Sequence, residues 1–124
     1  MKKKVLIIDD EEAFTEIAKL TLESGDRYEV CVENNPLTAV QTARNFMPDI
    51  IILDVVMPDM DGGEVRNQLM ATPVLKNIPI IFLTAIVQEK DVAKNHGVIG
   101  GSFFLAKPAS ANVLIDAIEK HTRS

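Results

Sequence analysis

The chain contains one cysteine, Cys31, and no hydrophobic run that approaches the length of a membrane-spanning helix. A single cysteine excludes an intramolecular disulfide, so nothing in the sequence calls for an oxidising compartment. The basic start, Met1–Lys4, is followed by only four apolar residues before the acids begin, which is too short for the core of a secretory signal. The sequence therefore predicts a cytoplasmic protein without membrane insertion.

Basic residues are outnumbered as well. The chain has 13 lysines and arginines against 18 aspartates and glutamates, which gives a formal net charge of −5. An acidic domain is poorly suited to direct binding of nucleic acid or of an anionic membrane. No linker, low-complexity stretch or internal repeat interrupts the 124 residues, a length typical of one domain with one core. We predict a single domain over residues 1–124 and, because the chain ends after its last predicted helix, no output domain.

What the sequence does contain is a fivefold alternation of apolar, strand-like runs with helix-like stretches. An apolar run without polar alternation is typical of a strand that is covered on both faces. The alternation predicts an α/β fold with a five-stranded parallel sheet, doubly wound, with helices on both faces. Five units are too few for the eight-fold barrel. The predicted strands are Lys4–Ile8, Tyr28–Val32, Ile50–Leu53, Ile78–Leu83 and Ser102–Leu105.

The helices are delimited by capping and helix-breaking residues such as Pro36, Pro48 and Gly25. Asp61 and Glu64 have the spacing of a capping box and open the third helix. The predicted helices are approximately residues 11–24, 36–47, 61–69, 88–96 and 110–121. The inward residues expected for the first two are Phe14, Ile17, Ala18, Thr21 and Leu22, then Leu37, Val40 and Ala43. The fourth helix is mostly polar, which indicates either an ordinary solvated helix or an element held weakly enough to move.

Polar residues stand at the carboxyl ends of three predicted strands. Asp9 and Asp10 follow the first strand, Asp54 follows the third, and Thr84 follows the fourth. Open α/β sheets place their chemistry at this edge, so these groups would meet if the strands are parallel neighbours. No glycine-rich phosphate-binding turn follows the first strand. The acids there favour a cation instead, and oxygen ligands suit Mg²⁺ or Mn²⁺.

Each of these residues also has an ordinary structural explanation. Asp9 and Asp10 can cap the first helix, Asp54 can be satisfied by loop amides, and Thr84 can cap the helix that follows it. Lys107, just past the fifth strand, can be a solvated charge. At that edge, however, its ammonium can also pair with Asp54 or with a phosphoryl oxygen. Three clustered carboxylates repel one another and stay ionised at neutral pH only beside a cation, which favours the functional interpretation.

Four segments resemble the receiver domain of the bacterial two-component response regulators, close to its single-domain, stand-alone type. The segments are Val5–Glu11, Asp49–Gly62, Pro79–Ala85 and Phe104–Pro108. Each one alone is only suggestive, but all four in order over nearly the whole chain are specific. The resemblance implies a flavodoxin-like (βα)5 three-layer sandwich. It also implies a phosphoacceptor signalling switch, not an enzyme, that assists its own phosphorylation and dephosphorylation.

The resemblance further implies roles for individual residues around the acids. Asp54 matches the residue that accepts a phosphoryl group from a histidine kinase or a histidine phosphotransfer protein. Asp10 matches a direct Mg²⁺ ligand, and Asp9 matches an acid that helps to hold the ion. The backbone carbonyl of Val56 matches a further metal ligand. A magnesium-dependent transfer of phosphate to Asp54 is therefore the expected function.

Thr84 and Lys107 match the groups that contact the phosphoryl oxygens, and Phe104 matches the aromatic switch position. Once Asp54 is phosphorylated, Thr84 would move inward, Phe104 would turn in, and the loosely held fourth helix would shift. The fourth helix, fifth strand and fifth helix form the expected output face, for a downstream protein or for a homodimer. Phe104 lacks the hydroxyl of the tyrosine that is also frequent there, so it can report burial but cannot add a hydrogen bond. Ala109 stands where an aromatic residue is common in the family.

Two other functions compete with the switch. A receiver-like module that binds a partner without phosphorylation has no need of Asp9, Asp10, Asp54, Thr84 and Lys107 together. A magnesium-dependent phosphatase or other hydrolase would use Asp54 as its nucleophile on external substrates. The sequence contains neither a second general acid near Asp54 nor a long substrate loop, so the switch is the favoured hypothesis.

Overall fold

The computed structural model describes residues 2–85, 98–99, 102–107 and 109–122. The strands are β1 (Lys3–Ile8), β2 (Tyr28–Glu33), β3 (Ile50–Asp54), β4 (Ile80–Thr84), β5 (Val98–Ile99) and β6 (Ser102–Ala106). Five of them are parallel in the order β2–β1–β3–β4–β6. The two-residue β5 pairs antiparallel with β6 at the edge. The predicted five-stranded parallel sheet is confirmed, and β5 is an addition to it.

Four helices are described, two on each face of the sheet. They are α1 (Glu12–Glu23), α2 (Ala39–Phe46), α3 (Gly62–Met70) and α4 (Ala111–Thr122). A 3-10 turn, Pro36–Thr38, precedes α2. The fourth predicted helix, residues 88–96, lies outside the described residues, so α4 is the fifth predicted helix. None of the described helices is long and apolar enough to cross a membrane.

The core has two apolar layers because successive side chains of a strand point to opposite faces of the sheet. On β1, Val5 and Ile7 enter the layer that α1 and α4 cover, while Leu6 and Ile8 enter the layer that α2 and α3 cover. The first layer also contains Ala18, Leu22, Val30, Ile50, Ile52, Leu114 and Ile118. The second also contains Ala43, Ile51, Leu53, Val65, Leu69 and Phe82. This doubly wound arrangement is the predicted three-layer sandwich.

Some predicted inward positions are wrong. On α1, Ile17 is 65% exposed and Thr21 is also exposed, whereas Thr15 is buried in their place. A buried hydroxyl needs hydrogen bonds, and Thr15 makes them to the backbone carbonyl of Glu12 and to the Asn34 side chain. The inward face is therefore rotated relative to the apolar pattern.

The second predicted helix and the fourth predicted strand also begin later than the sequence indicates. Leu37 lies in the 3-10 turn and is 57% exposed. The backbone N–H of Ile78 donates to the carbonyl of Leu75 at 3.0 Å and so closes a turn. Pro79 has no N–H to donate to a neighbouring strand. The strand β4 therefore begins at Ile80.

The register of the parallel strands sets the level of the residues at the carboxyl edge of the sheet. Ile8 pairs with Leu53, so Asp9, which follows β1, and Asp54, the last residue of β3, lie at the same level and on the same face of the sheet. On the other side of β3, Thr84 pairs with Ala106. Residues from four segments of the chain therefore meet at one edge.

Candidate phosphoacceptor and metal site

Three carboxylates converge at this edge. Asp9, Asp10 and Asp54 each place an oxygen within 4.8 Å of the others. Asp9 is 1% exposed and Asp54 is 5% exposed, whereas Asp10 is half-buried. Coulomb repulsion in such a partly dehydrated cluster is strong, since little water screens the charges. The structure thus brings together the three acids that were predicted to lie at strand ends. Their mutual repulsion favours the binding of a positive charge.

Asp9 is fixed from several directions. Its Oδ1 accepts the backbone N–H of Glu11 at 2.9 Å, and its Oδ2 lies 2.7 Å from Lys107 Nζ. The Asn34 amide donates to the Asp9 carbonyl at 2.8 Å and to Thr15 Oγ1 at 3.0 Å. The N-cap residue of α1 is Glu11, and no side chain makes a capping hydrogen bond there. Asp9 therefore forms a local turn to Glu11 and does not cap the helix in the usual way.

Among the described residues, Lys107 provides the positive charge nearest to the acids. Its Nζ donates to Asp9 and to the carboxylate of Glu11, lies 3.9 Å from Asp54 Oδ2, and lies 4.8 Å from the centre of the Phe14 ring. Burial alone would lower the pKa of Lys107, but its hydrogen bonds to Asp9 and Glu11 outweigh burial and raise it. Lys107 is therefore a protonated ammonium and not a solvated surface charge.

Asp54 has a pKa raised to about 6. Burial is the largest cause, the negative charge of Asp9 adds to it, and the ammonium of Lys107 opposes both. A protonated carboxyl is a poor nucleophile and a poor metal ligand. A bound cation would lower this pKa and so extend the pH range over which Asp54 is ionised.

The raised pKa predicts how stability depends on pH in protein stripped of metal with EDTA. Asp54 binds its proton more tightly in the folded protein than in the unfolded chain, where its pKa is near 3.8. The stability that this proton provides is therefore complete below about pH 4 and is lost as the pH rises through about 6. At about 1.4 kcal/mol per pH unit, the loss is roughly 3 kcal/mol. Urea titrations at several pH values measure this loss. Between about pH 4 and about pH 6, we expect the unfolding free energy of wild type to fall by roughly 3 kcal/mol relative to that of Asp54→Asn.

Asp59→Asn is the control for this measurement, because Asp59 is an exposed acid of the same loop and its removal changes the net charge equally. Parallel pH profiles for wild type and Asp54→Asn would contradict the assignment of a raised pKa to Asp54. Addition of Mg²⁺ near neutral pH should restore stability to wild type and leave Asp54→Asn much less affected.

Thr84 and Phe104, the two expected switch residues, lie on the same face of the sheet as each other. Thr84 is 1% exposed at the end of β4, and its carbonyl accepts the backbone N–H of Lys107 at 2.9 Å. Phe104 pairs in register with Phe82, two residues before Thr84, and the two rings stack with centroids 5.0 Å apart. A pocket beside the acids is lined by Glu11, Asp54, Val56, Thr84, Ala85 and Lys107.

At Gly62, the start of α3 lies very close to the backbone at the end of β3. A Cβ at this position would lie 2.3 Å from the backbone oxygen of Asp54 and 2.9 Å from the Cα of Val55. Its N–H donates to the Val55 carbonyl at 2.8 Å, and Asp61 caps α3 by accepting the N–H of Glu64 at 2.9 Å. The start of α3 is therefore pressed against the end of β3, where only a hydrogen fits.

Three residues of the site have no predicted role there, namely Glu11, Phe14 and Asn34. Glu11 follows Asp9 and Asp10 directly, so its proximity to Lys107 could have been inferred once Lys107 was placed at the same edge. Phe14 was assigned to the core of α1, although its ring also faces the ammonium. Asn34 lies just past β2, and no signal in the sequence marks it. Long-range contacts of this kind depend on the register of neighbouring strands.

Comparison with known families identifies the family of the chain. The model of the response regulator receiver domain matches residues 5–119. The chain belongs to this family. Receiver domains are phosphoacceptor signalling switches whose general function is phosphoryl transfer to an aspartate, and they bind Mg²⁺ through acidic residues. As a family they interact with histidine kinases or phosphotransfer proteins and with downstream targets.

Relatives of this receiver domain include proteins of very different length. It is 37% identical over 125 residues to response regulator PleD of Caulobacter vibrioides, covering 99% of this chain and 27% of PleD. It is 30% identical over 122 residues to the polar-differentiation response regulator DivK of Brucella anthropi, covering 98% of this chain and 97% of DivK. The chain thus spans about a quarter of PleD and nearly all of DivK.

Solved structures agree with the fold of this receiver domain. The chemotaxis protein CheY4 of Vibrio cholerae superimposes with a TM-score of 0.81 at 27% identity, covering 98% of this chain and 99% of that one. A putative response regulator from Chloroflexus aurantiacus gives a TM-score of 0.81 at 28% identity, covering 98% of each chain. The flavodoxin-like fold predicted from the sequence is confirmed.

Proposed function

We propose that Asp54 is the aspartate of this receiver domain that accepts the phosphoryl group. The observation that supports this most strongly is the convergence of Asp9, Asp10 and Asp54 beside the ammonium of Lys107. Among the three acids, only Asp54 lines the pocket that Thr84 and Lys107 also line. The donor is the phosphohistidine of a sensor histidine kinase or of a histidine phosphotransfer protein.

The donor set fits a divalent cation. Carboxylate and carbonyl oxygens are the ligands that Mg²⁺ prefers, and the clustered acids outnumber the nearby ammonium. Asp9, Asp10, Asp54 and the backbone carbonyl of Val56 would hold the ion, with Mn²⁺ as an alternative. When bound, it would neutralise charge on the transferring phosphoryl group. The raised pKa of Asp54 supports this fit, since burial and Asp9 leave its negative charge undercompensated.

The residues of the chain supply positioning and charge, which is most of what phosphoryl transfer requires. A carboxylate oxygen of Asp54 forms a bond to phosphorus as the bond from phosphorus to the donor nitrogen breaks. The ammonium of Lys107 and the hydroxyl of Thr84 contact the phosphoryl oxygens. The same groups then stabilise attack by water on the acyl phosphate, so the domain assists both its phosphorylation and its dephosphorylation.

The conformational response starts at Thr84 and Phe104. Both side chains lie on the same face of the sheet, at the adjacent strands β4 and β6. Attraction of Thr84 towards the phosphoryl oxygens would change the space beside Phe104, which now stacks on Phe82. The output face would then comprise β6, α4 and the fourth predicted helix, and it would bind a downstream protein target or a second copy of the domain.

The test is incubation with acetyl phosphate and Mg²⁺ followed by intact-mass measurement. Wild type should gain one phosphoryl group, EDTA should prevent the gain, and Asp54→Asn should abolish it. Asp59→Asn is the matched control, because Asp59 lies in the same loop with a φ of 72° that asparagine tolerates equally. Peptide mapping should place the group on Asp54.

Two results would overturn the proposal. An adduct that persists in Asp54→Asn would move the acceptor to another residue. No adduct with any phosphodonor would favour a module that binds its partner without phosphorylation.

A further inference from the structure

Within the part of the chain that the structure describes, Lys107 donates its side-chain hydrogen bonds to acids that follow β1. Its Nζ donates to Asp9 Oδ2 at 2.7 Å and to Glu11 Oε1, while the face of the Phe14 ring lies 4.8 Å away. A lysine ammonium has three N–H donors; two donate to these carboxylates, and the ammonium also lies over the Phe14 ring. Asp54 Oδ2 is 3.9 Å away, which is beyond hydrogen-bond distance.

The two carboxylates that bind Lys107 differ in exposure. The Asp9 side chain is 1% exposed and that of Lys107 is 9% exposed, whereas the Glu11 side chain is 60% exposed. Asp9 is held by its own turn to the backbone N–H of Glu11, so its position is set by the fold. Glu11 can return to water at little cost, because more than half of its side chain is already in contact with water, which screens its charge. Glu11 is therefore the partner that Lys107 can give up.

We propose that Glu11 competes with the phosphoryl group for Lys107 and holds this lysine in a resting position away from Asp54. The inference rests on the proposed function, since it concerns the Lys107 that contacts the phosphoryl oxygens. Phosphorylation of Asp54 then requires Lys107 to leave Glu11 and to turn one N–H towards the reacting group. Glu11 is a positioning residue, because it acts through Lys107.

Removal of the competitor should speed phosphorylation by a modest factor. Glu11→Gln keeps the size of the side chain and removes its charge. Because solvent screens the largely exposed Glu11 carboxylate, its pairing with Lys107 should contribute on the order of 1 kcal/mol or less, and the expected increase in the rate constant with acetyl phosphate and Mg²⁺ is about twofold to fivefold. Glu12→Gln is the matched control, since Glu12 is the adjacent exposed acid on α1 and its removal changes the net charge equally. Its rate should equal that of wild type.

A double-mutant cycle separates this role from a general structural effect. In a Lys107→Met background, Glu11→Gln should no longer change the rate of phosphorylation. Independently of phosphorylation, the side-chain amine signal of Lys107 in ¹⁵N nuclear magnetic resonance should shift in Glu11→Gln and stay in place in Glu12→Gln.

The outcomes distinguish the two proposals. If wild type is phosphorylated on Asp54 but Glu11→Gln leaves the rate unchanged or lowers it, the proposed competition is wrong and the proposed function stands. An acceleration that persists without Lys107 also overturns it. Wild type that is never phosphorylated on Asp54 overturns the proposed function and this inference together.

Discussion

Lys107→Met is expected to slow the phosphorylation of Asp54 by about 100-fold or more. Loss of one donor to an oxygen that gains negative charge in a transition state costs about 10² to 10³ in rate in a buried site. In the described part of the chain, Lys107 has the ammonium nearest to Asp54, at 3.9 Å, and its side chain is 9% exposed. Methionine has a similar length, no charge and no N–H, so the substitution removes the interaction and keeps the bulk. Quenched-flow labelling with acetyl phosphate and Mg²⁺ measures the rate constant.

The same substitution leaves Asp9 buried without its ammonium partner, and breaking a buried pair destabilises proteins. The rates must therefore be compared at a temperature at which a thermal unfolding curve shows that Lys107→Met is fully folded. Lys76→Met is the control, because Lys76 is exposed and lies outside the site. A folded Lys107→Met protein that is phosphorylated within threefold of the wild-type rate would refute the role of Lys107.

Gly62→Ala is expected to destabilise the domain by roughly 2–4 kcal/mol. Its Cβ would lie 2.3 Å from the Asp54 backbone oxygen and 2.9 Å from the Cα of Val55, and backbone atoms cannot swing aside as a flexible side chain can. Either α3 or the end of β3 must shift. Because Asp54 belongs to the segment that would shift, phosphorylation should also slow. Urea unfolding gives the loss of stability, and acetyl phosphate labelling gives the loss of rate.

Gly63→Ala is a closely matched control, one residue further along the same helix. Its Cβ would meet only the Asp61 carboxylate, at 3.2 Å, and that side chain can adjust. Alanine also has the higher helix propensity, by about 1 kcal/mol, so Gly63→Ala should lie within about 1 kcal/mol of wild type. Equal stabilities for the two alanine variants would show that the close approach at Gly62 does not constrain the loop.

The parts of the fold that repeat along the chain could be predicted from the sequence. The five parallel strands could be predicted because unbroken apolar runs such as Ile50–Leu53 are typical of strands that are buried on both faces. The start of α3 was found because Asp61 and Glu64 have capping-box spacing, and Asp61 does cap the helix. The antiparallel strand β5 was missed, because its two residues, Val98 and Ile99, are too short for any periodic signal.

Burial on the helices was predicted less well. Periodicity indicated Ile17 as an inward residue of α1, but Ile17 is 65% exposed and Thr15 is buried. A threonine can be buried when its hydroxyl has hydrogen-bond partners, and one partner of Thr15 is Asn34, which lies just past the end of β2. Such a partner is invisible to a pattern within one helix. Leu37 is exposed for a related reason, since it lies in a 3-10 turn and not in α2.

The sequence alone determined the doubly wound sheet and the acids at its carboxyl edge, because apolar periodicity and strand ends are local properties of the chain. Tertiary structure decided how those acids are compensated. The pairing of Lys107 with Asp9 and Glu11, its 3.9 Å distance from Asp54 and the close approach of Gly62 to β3 depend on strand register and loop path. These bring together residues far apart in sequence, and no local pattern encodes such distances.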